Sequence, residues 1–181
     1  GKSGNEVFLI FPLNHTKDAP PGRDGGANLA AALALTEELK KKPPPQNVHI
    51  VFMGAEFGNY SEYPIGTKDF LFNYYPELNS AFFYFNFKFI PEKILINHSG
   101  TGLISPLWIL KKSVDALNSA ELDFSTASGI NLVNRLKLND KAYLIDSYLE
   151  NDYSAIYFEG EYSGFYTPEK EQLSIFLSFL L

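Results

Sequence analysis

The sequence predicts an α/β protein, a three-layer α/β/α domain with a mixed, mainly parallel central sheet. Two observations carry this. Short apolar runs alternate along the chain with segments of helical spacing, the pattern of strands joined by crossover helices. The runs are also almost wholly apolar rather than alternating, as in strands covered on both faces. The 181 residues suit a single domain, 1–181, large enough to bury a core without crosslinks.

Val7 to Leu13 reads as the first buried strand and Asn14 to Asp24 as a loop punctuated by Pro20-Pro21-Gly22. Asn28 to Lys42 reads as a helix with Asn28 as N-cap and Leu29, Ala32, Leu33 and Thr36 on its apolar face. Lys40, Lys41 and Lys42 suit the negative end of its dipole, as a solvated helix end, and Pro43-Pro44-Pro45 stop it. Val48 to Met53 is a second buried strand, Gly54 to Ile65 a loop, and Thr67 to Tyr75 a short helix with Thr67 as cap. Ala81 to Phe87 and Lys93 to Ile96 follow as strands, then a loop to Ser105 and a helix over Pro106 to Leu117. No element is legible from Ala120 to Asp140. Tyr153 to Phe158 reads as a strand, and Thr167-Pro168-Glu169 opens a last helix. The expected core includes Leu29, Leu33, Val51, Phe83, Phe85, Ile156 and Phe176.

Composition narrows the function. With 15 Lys+Arg against 21 Asp+Glu the net charge is -6, which argues against a broad nucleic-acid footprint. The absence of Cys removes disulfides, thiolate metal sites and Cys nucleophiles. No apolar stretch is long enough to span a membrane. The start at Gly1-Lys2-Ser3 suggests a fragment of a longer protein. Sixteen Phe and eleven Tyr offer ample area for a core. Tyr60, Tyr63, Tyr74, Tyr75, Tyr162 and Tyr166 are candidates either for that core or for a peptide or sugar surface.

Ligands of open α/β sheets bind beyond the carboxyl ends of the strands. That directs attention to Asn14 to Asp18, Gly54 to Gly58, the segment from Lys88, and Glu159 to Thr167. Of three histidines, His49 falls within a strand and reads as structural, and His98 lies in a loop without an acidic neighbour; only His15 directly follows a strand. No nucleophile elbow, dinucleotide fingerprint, phosphate loop or HExxH motif is present.

Taken in order, Asn14-His15-Thr16-Lys17-Asp18, Pro21-Gly22-Arg23-Asp24-Gly25-Gly26-Ala27-Asn28, Gly54-Ala55-Glu56-Phe57-Gly58, Phe85-Asn86-Phe87-Lys88 and Gly164-Phe165-Tyr166-Thr167 resemble the M28 family of zinc aminopeptidases. The resemblance implies a zinc-exopeptidase-like fold and, with it, an extracytoplasmic location. It also implies a degenerate site. The metal-ligand positions fall at Asn14 or His15, at Gly25 with Asp24 beside it, and at Phe57, Lys88 and Tyr166, and only the general-base position survives, as Glu56. A two-metal hydrolase needs its metals to activate water. The expectation is therefore a non-catalytic module with no metal or cofactor and an unknown protein or peptide partner. Lys88 is expected to turn toward Glu56 or Asp24 and repel a cation, and the helix start at Gly25 to Leu29 to offer N–H groups to an anion. The alternative is an active zinc-dependent aminopeptidase with relocated ligands drawn from His15, Asp18, Asp24, Glu56 and Asp152. A zinc acyltransferase that cyclises N-terminal glutamine stands below both.

Overall fold

The computed structural model describes residues 6–13, 25–56, 64–74, 76–87, 91–100, 102–126, 136 and 144–161. In chain order these form β1 (Glu6–Pro12), α1 (Gly26–Lys41), β2 (Asn47–Met53), α2 (Ile65–Tyr74), β3 (Ala81–Asn86), β4 (Lys93–Asn97), α3 (Leu107–Ser119), β5 (Phe124–Thr126), α4 (Asp146–Leu149) and β6 (Ser154–Glu161). The strands make one six-stranded sheet in the order β2-β1-β3-β6-β4-β5. Neighbours run parallel except β4, which lies antiparallel to β6. The mixed, mainly parallel α/β sheet expected from the apolar runs is what the chain adopts.

Side chains alternate across the strands and build two cores. On one face Phe11, Phe85, Ile156 and Phe158 pack against Ala31, Ala32 and Leu35 of α1 and Ile109 and Leu117 of α3. On the other, Phe8, Ile10, Phe82 and Tyr84 pack against Leu71 of α2 and Tyr148 and Leu149 of α4. The two clusters give the three layers their order, helices covering both faces. Ring stacking reinforces the centre: Phe8 on Phe82 at 4.8 Å, Phe85 on Phe158 at 5.1 Å.

Several expectations need correction. Leu29 and Leu33 are 42% and 57% exposed. The inward face of α1 is Asn28, Ala31, Ala32 and Leu35, whose small residues bring the helix close to the sheet. Val51 is half-buried and Phe52 is 40% exposed, because β2 is an edge strand. Phe83 is half-buried, while Phe85 and Ile156 are buried as expected. β5 and α4 were not anticipated, being only 3 and 4 residues long. Phe176 and the last helix lie outside the described residues.

Candidate site at the carboxyl edge of the sheet

Because β1, β2, β3 and β6 run parallel, their carboxyl ends share one edge, and the chain reverses its direction of winding between β1 and β3. Such a switch point is where open α/β sheets form a ligand crevice. Here a side chain bridges it. Asn28 is 0% exposed; its Nδ2 donates to the Pro12 carbonyl at 2.8 Å, and its Oδ1 accepts from the Phe87 N–H at 3.0 Å. The ends of β1 and β3 are thus tied through one amide on α1.

The turn into α1 makes this placement possible. Gly25 precedes the helix at φ 69, and a Cβ there would collide with the backbone of Leu13; only glycine combines that φ with that closeness. Asn28 is therefore not the N-cap but a residue of the first turn aimed inward. Its polar side chain two positions after a Gly-Gly pair is the signal that could have marked it.

Glu56, just past β2, forms the second polar cluster and is 2% exposed. Its Oε1 accepts from the Thr67 N–H at 2.7 Å, and its Oε2 accepts from the Thr67 hydroxyl at 2.7 Å and the Tyr84 hydroxyl at 2.8 Å. The Thr67 hydroxyl also lies 3.2 Å from that of Tyr148. Ala55, at φ 54, turns its carbonyl to accept from the N–H groups of Ile65 and Gly66. Ala55 and Glu56 together satisfy the opening N–H groups of α2, so Thr67 receives a cap rather than supplying one. Gly66 leaves room for this, since a Cβ there would meet Gly54 O and Glu56 Oε1. Burial raises the Glu56 pKa above the usual carboxylate range, partly offset by the donors on Thr67 and Tyr84. Burial, and then the carboxylate of Glu56, push the Tyr84 phenol well above its ordinary value.

Beside these, Asn86 Nδ2 donates to the Tyr157 hydroxyl at 2.7 Å, while Asn86 Oδ1 is buried with no hydrogen-bond partner among the described residues. Tyr84 and Tyr157 pack at 5.4 Å, so the two polar clusters adjoin.

Of the residues singled out in the sequence, Gly25 and Glu56 reach this edge. Asn14, His15, Asp18, Asp24, Phe57, Lys88 and Tyr166 lie outside the described residues. Asp152 is not brought to Glu56: it sits in the turn before β6, at the amino edge of the parallel strands. His49 is structural as expected, stacked on Phe8 at 4.5 Å with Nε2 3.1 Å from Glu6. His98 follows the antiparallel β4 at the opposite edge, and burial lowers its pKa. Of the candidate surface tyrosines only Tyr74 is described, and it stacks on Phe70 at 5.2 Å. No three potential metal-ligating side chains cluster among the described residues, and no helix there is long and apolar enough to cross a membrane.

No curated protein matches the chain. A family model does, over residues 30–178: that of the TP_0564 family, first domain. This overturns the M28 assignment, for the family model that covers the chain is not that of the M28 peptidases. The misleading motifs have a physical origin. Of the glycines in them, Gly25 is demanded by the strand-to-helix turn after β1, whatever the domain does. On the strength of the match along most of its length, the chain belongs to the TP_0564 family, whose first domain it carries.

Proposed function

We propose that this domain is a non-catalytic module that acts by binding a protein or peptide. The reading rests on Glu56. A general base must reach the proton it removes, yet this carboxylate is 2% exposed and holds three donors of its own fold. An anion at the start of α2, capping its N–H groups, is a structural device. The bridge of Asn28 across the switch point supports the same reading, since protein groups occupy the ends of β1 and β3 that a ligand would approach.

The test is direct. The protein is equilibrated with zinc, dialysed, and assayed for bound metal and for turnover of aminoacyl nitroanilides. The expected result is sub-stoichiometric zinc and no turnover above buffer. Stoichiometric zinc with turnover that a chelator abolishes overturns the proposal.

A further inference from the structure

We infer that the outer edge of β2 is a docking strand for an extended peptide that alternates acidic and apolar residues. The inference rests on the reading of the domain as a binding module and names where, and with what chemistry, it binds.

β2 pairs with β1 in parallel register along all 7 of its residues and is the first strand of the sheet. Its other side presents backbone donors and acceptors that no described strand takes up. Proteins ordinarily blunt such an edge with Lys, Pro, a bulge or a covering element. The sequence Asn47-Val48-His49-Ile50-Val51-Phe52-Met53 has no charge, proline or glycine. Beside its first four residues, Asn47 to Ile50, lies a groove of about 450 Å³ walled also by Leu39, Lys40, Pro43 and Pro44. A strand edge that no described strand pairs calls for another extended backbone, and the adjoining groove takes its alternate side chains.

The charge pattern selects the occupant. The chain carries a net charge of -6, yet no Asp or Glu lines this groove. Lys40 is in its wall, and the exposed Lys41 and Lys42 follow in the chain. Lys40 and Lys41 pair with Glu37 and Glu38 at 2.8 and 2.5 Å on the open helix surface, contacts weak enough to yield to an incoming carboxylate. A lysine in the wall, with two more next in the chain and no carboxylate in the lining, favours an acidic strand and discourages a basic one.

The experiment uses the whole chain and a fluorescent, end-blocked nonapeptide of alternating Glu and Val. Two controls accompany it, the same peptide with Lys for Glu and one N-methylated at alternate residues. Anisotropy gives affinity and amide NMR gives location. The Glu peptide is expected to bind with a dissociation constant below about 1 mM, moving the amides of Asn47 to Met53. The Lys peptide and the N-methylated peptide should each bind at least about tenfold more weakly, a difference of about 1.4 kcal/mol. The triple variant Lys40→Glu, Lys41→Glu, Lys42→Glu, unchanged by circular dichroism, should lose about tenfold for the Glu peptide and prefer the Lys peptide. Equal affinity for the two charge patterns, shifts confined to other strands, or no binding at that concentration overturns the inference. So does concentration-dependent dimerisation that protects the β2 amides, which would make a second copy the occupant. None of these outcomes touches the zinc and turnover measurements, so the two readings fail separately.

Discussion

Replacing Asn28 tests the bridge at the switch point. Asn28→Ala strands two buried groups, the Pro12 carbonyl and the Phe87 N–H, which its amide meets at 2.8 and 3.0 Å. Each stranded group costs about 1–3 kcal/mol, so the variant should lose about 2–6 kcal/mol. In a domain of this size that corresponds to a fall in Tm of at least about 4 °C. Urea unfolding followed by circular dichroism measures it, with Leu33→Gln on the exposed side of the same helix as a control within about 0.5 kcal/mol of wild type. Asn28→Asp is the sharper probe. It keeps the acceptor for Phe87 but sets a carboxylate oxygen against the Pro12 carbonyl. Burial and that carbonyl favour the neutral acid, so its folded-state pKa lies above its unfolded one. The native state then holds a proton the unfolded state has released, and stability is recovered as pH falls through the folded pKa. Protonation also restores a donor to Pro12. An Asn28→Ala variant as stable as wild type, or an Asn28→Asp deficit that ignores pH, refutes the bridge.

Three further outcomes follow from the same edge. Glu56, with its pKa raised mainly by burial, holds a proton in the native state after the unfolded chain has lost it, so its contribution to stability is present below its unfolded pKa and lost as pH rises through the folded one; the stability of Glu56→Gln relative to wild type should rise over that window, and parallel pH curves would contradict the assignment. Tyr84→Phe removes a donor to Glu56, should cost about 1 kcal/mol, and should raise the Glu56 pKa further when the carboxyl carbon is titrated by NMR; an unchanged titration refutes the contact. Gly25→Ala meets both a positive φ and the Leu13 backbone, and should cost at least about 2 kcal/mol in urea unfolding; a neutral result would show that the turn differs.

Much of the sheet was legible because its strands are near-continuous apolar runs. Which strand lies at the edge was not, since strand order depends on pairings between distant segments; Val51 and Phe52 therefore look like core residues in the sequence and are partly solvated in the fold. The inward face of α1 was misread because its helix packs through Ala31 and Ala32 while Leu29 and Leu33 face outward, so apolar bulk points the wrong way. Glu56 stands out in the sequence as the general-base position of the M28 resemblance, which the family match overturns. Its role was not visible, because it is fixed by Thr67 and Tyr84, 11 and 28 residues away. Asn28 was noticed for its propensity to cap helices, and that local rule yielded to a pair of tertiary hydrogen bonds.

β6 has a consequence for how the chain reaches this structure. It is the only strand joining β2-β1-β3 to β4-β5 in the six-stranded order, and it comes last among them in the sequence. Its contacts span long separations, as between Asn86 and Tyr157, 71 residues apart, and pairings of that range are slow to form. During synthesis the facing edges of β3 and β4 therefore lack this partner until Ser154 to Glu161 clear the ribosome. Over that interval the nascent chain is most exposed to aggregation and most in need of chaperone cover. A truncation before Ser154 should leave those two edges without their partner permanently.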